Sequence, residues 1–370
     1  MLSCFFFLFL FVYSSTMSDL QKALLLRVKK RESELGLLLL EEEPGDDATK
    51  STKEDDTTQA DEQIVKEYKL FKSEYFVTEE YSQGLTVFKT YFMKSKKPGP
   101  VLICGHGAGS SSMTFAELCR NIKDETISVF LYDLRCHGGS LGDLDFSLDT
   151  LVEDFHFILG EFVSKQQPSG VFLLGHSLGG AIFAKYVHVH QQELIKGLIL
   201  LDIVEETAVS SLNVMPFFLE KLPQSFPSLS KAIDWHMNSL LFNEKSARLS
   251  LPDIFNLDTM EWKLDLKKTQ PFWNTWFNGL SNNFISFPKG KLLILAAHET
   301  LDKELIIGQM QGKYELVVFN NNQKSGHFVQ EDLPNFVALR VEEFICKAFA
   351  PERYMKDYLG VVPKWGGKVT

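Results

Sequence analysis

Short apolar blocks recur along the chain, separated by polar stretches with helical spacing. The blocks Leu70–Val77, Leu85–Phe92, Val101–Cys104, Val129–Tyr132, Val171–Leu174, Leu198–Leu201, Leu292–Leu295 and Leu316–Phe319 read as eight strands. Several are unbroken, Gly197-Leu198-Ile199-Leu200-Leu201 among them, and a strand without a polar face has to be covered on both sides. The covers lie between the blocks, at Thr114–Ile122, Leu148–Lys165, Leu178–His190 and Pro334–Phe349, where the pattern predicts helices. Together they predict an α/β architecture: an eight-stranded, mostly parallel sheet flanked by helices. The first two strands, joined across Tyr81-Ser82-Gln83-Gly84, form an antiparallel edge.

Outside this alternation the pattern changes. Between Leu201 and Lys291 the sequence is mainly helical and carries Trp235, Trp262, Trp273 and Trp276, too long a stretch for a simple connection. It predicts a helical cap insertion, about residues 204–288, within a domain spanning 67–350. Ahead of the domain, residues 41–66 are acidic and nearly free of large apolar side chains, which predicts a disordered linker. Leu20 to Leu40 mixes Leu with Lys, Arg and Glu and predicts a peripheral amphipathic helix. The apolar opening Cys4–Tyr13 has the length of a signal-peptide core but lacks a preceding basic region, and it is too short to span a bilayer. Met17 follows with Ser18-Asp19-Leu20-Gln21, so the opening is read as an upstream extension or alternative start rather than a secretory signal. Residues 351–370 are expected to form a C-terminal tail.

Composition narrows the function classes. At 45% hydrophobic and 23% charged residues the chain is an ordinary globular one with a sizeable core. A net charge of -10, with no dense Lys/Arg stripe in the body, removes the electrostatic attraction on which nucleic-acid binding depends. The five cysteines, Cys4, Cys104, Cys119, Cys136 and Cys346, show neither metal-ligand spacing nor a disulfide framework, which fits a reducing, cytoplasmic setting and no metal.

The chemistry is concentrated at the ends of predicted strands. In Val171-Phe172-Leu173-Leu174-Gly175-His176-Ser177-Leu178-Gly179-Gly180 an apolar strand runs through G-x-S-x-G into a helix, the pattern of a nucleophile elbow. Such a turn lifts Ser177 above the sheet, and side chains at Gly175 and Gly179 would collide with neighbouring backbone. The motif alone is weak; its strand and helix context makes a purely structural turn the poorer reading. His176 is read as structural. Upstream, Val101–Cys104 ends in Gly105-His106-Gly107-Ala108-Gly109, where the backbone N–H of Ala108 would join that of Leu178 as an oxyanion hole. Taken alone that segment would be a plain Gly-rich turn. Downstream, Ser325-Gly326-His327-Phe328 precedes the last long helix and makes His327 the candidate general base. Asp133-Leu134-Arg135-Cys136-His137-Gly138 is read as a structural turn. A base of this kind needs a carboxylate to fix its tautomer, and two compete: Asp202, closing the strand Leu198–Leu201, and Glu299, following Leu292–Leu295.

With these residues the chain resembles the protein phosphatase methylesterases, members of the α/β-hydrolase superfamily. The resemblance runs from about Leu70 to Phe349 and is carried by segments that general hydrolases lack. These are Leu201-Asp202-Ile203-Val204-Glu205-Glu206-Thr207-Ala208, Glu244-Lys245-Ser246-Ala247-Arg248, Phe272–Asn282 and Leu301–Lys313. It implies Ser177 as nucleophile, His327 as base and Asp202 as acid, with no cofactor. It further implies, as partner and substrate, the type 2A protein phosphatase catalytic subunit carrying a methyl ester on its C-terminal carboxyl. Trp273 and Trp276 would then contact that substrate. Ala108 stands where the family usually has glycine, Glu299 where it often has aspartate, and Asn320-Asn321-Asn322-Gln323-Lys324 lengthens the loop before the base. Two rival readings share the motif: a small-molecule esterase or lipase, which does not need the family-specific segments, and a phosphatase-binding protein without activity, which an intact set of catalytic residues argues against.

Overall fold

Four central strands bury every residue but Lys196, and strict alternation divides their side chains between two cores. The computed structural model describes residues 50–296, 300–319 and 323–360. Val101 and Ile103 of β3 (Val101–Gly105), Val171 and Leu173 of β5 (Val171–His176) and Leu198 and Leu200 of β6 (Ile195–Leu201) point into one core. Leu102, Cys104, Phe172, Leu174, Ile199 and Leu201 point into the other. β4 (Ser128–Tyr132) divides in the same way, with Phe130 and Tyr132 on one side and Val129 and Leu131 on the other. This two-sided burial is the physical reason for the unbroken apolar runs.

The sheet has eight strands in the order β1-β2-β4-β3-β5-β6-β7-β8, where β1 is Val77–Gln83, β2 Thr86–Met93, β7 Gly290–Leu295 and β8 Glu315–Val318. β1 with β2 and β2 with β4 are antiparallel; all other neighbours are parallel. The chain steps outward from β3 to β4 and then returns past β3 to β5, so the strand order reverses between β3 and β5. In an open α/β sheet, the crevice beyond the carboxyl ends of such a pair is where ligands bind. Both glycine-rich motifs leave the sheet there, and Gly105 and Gly175 sit opposite each other in register.

The edge hairpin lies later in the chain than the apolar pattern predicts. Leu70–Val77, expected as a strand, is helical through Tyr75, and the strand begins at Val77. The linker expected over 41–66 is likewise helical from Lys50 onward, in a helix that ends at Tyr75. The reason is spacing: Ile64, Tyr68 and Phe71 fall on one face and are buried, while the acidic and polar residues between them face outward. Asp61 adds a contact that composition could not show. Its carboxylate accepts the N–H groups of Leu229 and Ser230 at 2.8 Å each, at the start of the helix Leu229–Ser239.

The stretch between β6 and β7 carries the helices Glu205–Leu212, Met215–Lys221, Leu229–Ser239, Glu244–Ile254, Trp273–Trp276 and Leu280–Ser286. Part of it has its own small core, in which Phe226, Leu229, Ile233, Leu251 and Phe255 pack with Ile64. Beyond the long helix Pro334–Phe349, the expected tail begins with another helix, Pro351–Asp357, started by a proline at its first turn and tied back by the guanidinium of Arg353 to the carboxylate of Asp124. No helix among the described residues is long and apolar enough to cross a membrane. The opening Cys4–Tyr13 and the helix expected over Leu20–Leu40 lie outside the described residues.

Candidate active site

At the end of β5 the backbone turns sharply at Ser177, which has φ 51 and ψ -120, a conformation that costs a side-chain-bearing residue about 1–3 kcal/mol. The surroundings enforce it. A Cβ at Gly175 would lie 2.4 Å from the N of Gly180, and one at Gly179 would lie 2.1 Å from the carbonyl oxygen of Gly105. The helix Leu178–Val189 therefore packs directly against the end of β3, as expected from the two flanking glycines. The Ser177 N–H donates to the Leu201 carbonyl at 3.2 Å, and its own carbonyl accepts the Gly180 N–H at 2.9 Å. Ser177 is thus anchored from β6 and from its own helix. Leu178, the first residue of that helix, is buried.

The loop opposite, Gly105–Gly109, is held by two buried histidines. His106 Nδ1–H donates to the Gly107 carbonyl at 2.8 Å, and its Nε2 accepts the Leu134 N–H at 3.0 Å. His137 Nδ1–H donates to the Arg135 carbonyl at 2.8 Å, and its Nε2 accepts the Gly109 N–H at 3.0 Å. Each ring must be neutral to accept, and burial keeps it so: His106 is held down to about 3 and His137 to about 4. Ala108 sits between the two anchored glycines and is partly buried. Gly107 cannot be enlarged freely, because a Cβ there would lie 3.1 Å from both His176 Nδ1 and Ser177 Cβ. Gly109 takes φ +74, and Leu266 of the insertion closes over it.

The turn after β4 supports this loop from beneath. Asp133 accepts the N–H of Ser112 at 2.8 Å and of Gly139 at 2.9 Å, and the hydroxyl of Tyr91 at 3.2 Å. Arg135 forms a two-pronged pair with Asp154, both contacts at 2.6 Å. These residues are fully used in holding backbone and one another, the structural turn expected from the sequence.

The two remaining sequence candidates meet from distant parts of the chain. His327 Nδ1–H donates to Asp202 Oδ2 at 2.9 Å, and the other carboxylate oxygen, Oδ1, accepts the Ala296 N–H at 2.7 Å. Asp202 is placed by the sheet itself: its N–H continues the ladder to the Ile294 carbonyl at 2.8 Å while its φ of 48 turns the chain away. Asp202 is buried and His327 is partly exposed, at 3% and 30% of their side-chain surfaces. An acid held by a backbone amide, with its second oxygen on the imidazole, fixes the tautomer in which Nε2 is the unprotonated ring nitrogen. Glu299, the competing acid, lies outside the described residues, as does Asn320–Asn322.

Trp273 and Trp276 occupy a different place from the one expected of substrate contacts. Both are buried, and their indole N–H groups are taken within the chain, Trp273 by Thr269 Oγ1 and Trp276 by the Phe146 carbonyl, each at 2.8 Å. They pack the insertion onto the sheet, which apolar content alone cannot distinguish from pocket lining. Two further groups touch the loop of His327: His176, expected to be structural, and Asp332, which the sequence pattern does not single out. His176 Nε2–H donates to the His327 carbonyl at 2.9 Å, and Asp332 Oδ2 accepts the Gly326 N–H at 2.8 Å. No periodic pattern marks either, because both contacts are to backbone, one across the sheet and one six residues back along an irregular segment. Among the described residues no group of three or more His, Cys, Asp or Glu is placed to hold a metal ion.

Comparison with known proteins bears on the same residues. The family described as serine aminopeptidase, S33, matches residues 96–242. Over 366 residues the chain is 57% identical to protein phosphatase methylesterase 1 of Candida albicans, covering 96% of this chain and 100% of that protein. It is 42% identical over 388 residues to the protein of the same name from Debaryomyces hansenii, covering 95% of this chain and 100% of that one. In fold it is similar to E-2-(acetamidomethylene)succinate hydrolase, with a TM-score of 0.58 at 16% identity, over 73% of this chain and 99% of that one.

Proposed function

Given that the chain belongs to the protein phosphatase methylesterase family, we propose that it removes the methyl ester from the C-terminal carboxyl of a type 2A protein phosphatase catalytic subunit. The chain is a serine esterase; the residues assigned to each step are our reading. Ser177 Oγ attacks the ester carbonyl while His327 Nε2 takes its proton. Asp202 holds Nδ1–H and stabilises the imidazolium that results. The negative charge that develops on the carbonyl oxygen is received by the backbone N–H groups of Ala108 and Leu178. His327 then returns the proton to the departing methoxide, and methanol leaves. Water, deprotonated by the same histidine, attacks the acyl-enzyme and releases the free carboxylate and Ser177.

The observation that carries this reading is the convergence of three segments: Ser177 strained at the end of β5, Asp202 closing the adjacent β6, and His327, on the segment after β8, donating to Asp202 at 2.9 Å. Methanol release from a carboxymethylated phosphatase subunit, measured beside hydrolysis of an aryl ester, tests it. Release that depends on Ser177 supports the proposal. Turnover of the aryl ester alone would assign the site to small-molecule esters, and turnover of neither would leave a phosphatase-binding protein.

A further inference from the structure

The base is held from one side by Asp202, but the backbone that carries it is also gripped, by groups from two different elements. Asp332 lies in the short helix Val329–Asp332 that follows the base and is 8% exposed. Its Oδ2 accepts the N–H of Gly326, the residue immediately before His327, at 2.8 Å. Its Oδ1 accepts the N–H of Phe242 in the insertion at 2.7 Å. On the far side of the base, the carbonyl of His327 accepts Nε2–H of His176 from the elbow strand at 2.9 Å. The fit around Gly326 is close, since a Cβ there would lie 3.3 Å from the Leu240 carbonyl oxygen in the insertion.

We propose that Asp332 is a positioning residue for the catalytic base: by accepting two backbone N–H groups it fixes the Gly326–His327 segment against the insertion and so sets the distance of the imidazole from Ser177. The proposal rests on the assignment of Ser177, His327 and Asp202 as the triad. An acceptor is required at both oxygens, because both partners are amide donors. Only the ionised carboxylate offers two full acceptors. A protonated acid or an asparagine presents a donor to one of the N–H groups and pushes that strand of backbone away. A displacement of the base by an ångström is enough to cost about a hundredfold in rate.

Burial presses the Asp332 carboxyl up to about 6, against the pull of the Gly326 and Phe242 amides, with the nearby Asp202 carboxylate adding to the rise. The other ionisable groups around this segment are Glu331, which burial raises to about 8, and the imidazoles of His327 and His176. The grip therefore weakens as pH falls through about 6, in addition to any protonation of the base itself.

Asp332→Asn in the full chain tests the proposal, with an aryl ester as probe and a fluorophosphonate titration to count folded, reactive sites. The expected result, per titrated site, is a kcat lower by about 10- to 100-fold with KM nearly unchanged. The acid limb of kcat/KM should also become shallower than in the wild type by one proton. Glu331→Gln, one residue away and equally buried, should keep kcat within about twofold and retain the wild-type acid limb. A kcat per site equal to the wild type in Asp332→Asn, or an unchanged acid limb, would overturn the proposal even if the variant were less stable. An equal fall in Glu331→Gln would do the same by showing a general effect of the buried acids. Failure of the wild type itself to hydrolyse the ester would instead bring down the triad on which the proposal rests.

Discussion

The nucleophile side and the base side of the site are built by different means. Ser177 and Leu178 are set by backbone: two adjacent parallel strands, glycines with no space for a Cβ, and a helix that starts at the turn. The base side has no such local rule. His327 stands on an irregular segment, and its position comes from side chains: Asp202 on its ring, His176 on its carbonyl, and Asp332, six residues on, at the N–H of Gly326. Around it the insertion is fastened in the same manner. Glu331 accepts the hydroxyls of Thr114 at 2.6 Å and Ser250 at 2.7 Å, and its carbonyl accepts Ser246 and Asn243 side chains at 2.7 and 2.9 Å. Farther out, Lys72 reaches Asp253 at 3.0 Å and Tyr68 donates to the same carboxylate. Backbone geometry tolerates no substitution, while a polar fastening loses strength in steps and responds to pH.

That contrast is open to test, beginning with the nucleophile. Ser177→Ala should lower kcat by a factor on the order of 10⁶, the loss known for subtilisin's serine, with the fold intact by circular dichroism. Activity near the wild-type level would remove Ser177 from the mechanism. Asp202→Asn crosses to the base side and should cost about 10⁴ in kcat, as in the serine protease from which that magnitude comes, with little change in stability. Steady-state kinetics on the folded variant would decide the matter. A loss of less than about tenfold would leave the tautomer of His327 to be fixed by another group.

Lys72→Met moves from chemistry to fastening. Burial acts against the Asp253 carboxylate, but Lys72, Lys263 and the Tyr68 hydroxyl outweigh it and hold its pKa below the usual value. Removing the ammonium that lies nearest leaves a buried charge short of compensation, and urea unfolding should show a loss of about 3 kcal/mol. An unchanged midpoint would mean that Tyr68 and Lys263 suffice. The smallest effect is expected for Glu331→Gln at pH 4, within about 0.5 kcal/mol, because burial raises Glu331 to about 8 and the wild-type side chain is there uncharged in the folded chain and largely so in the unfolded one. The sign follows from a folded value above the unfolded one: the wild type's contribution is complete below pH 4.5 and declines as pH rises toward about 8. The variant should lack this decline, so its stability relative to the wild type should improve with pH. A parallel pH dependence would place the titrating group elsewhere.

Much of the molecule was legible before any coordinates because periodicity and sterics act locally. Unbroken apolar runs required strands covered on both faces, and Gly175-His176-Ser177-Leu178-Gly179 required a turn that only this context accommodates. Local information also misled where two periods coincide over a short window. Phe71 and its neighbours looked like a strand, yet Ile64, Tyr68 and Phe71 are a helical stripe whose meaning depends on the surface they meet. Residue pattern left Asp202 and Glu299 in competition, with only the resemblance favouring Asp202; the tertiary structure brings Asp202 to His327, two residues far apart in the chain of which neither carries a mark of the other. It also buries Trp273 and Trp276 with their indole N–H groups paired inside the chain, and bonds Asp332 and His176 to the backbone beside His327. A contact between a side chain and a distant backbone amide depends on the folded path of both segments, and no spacing rule within either segment encodes it.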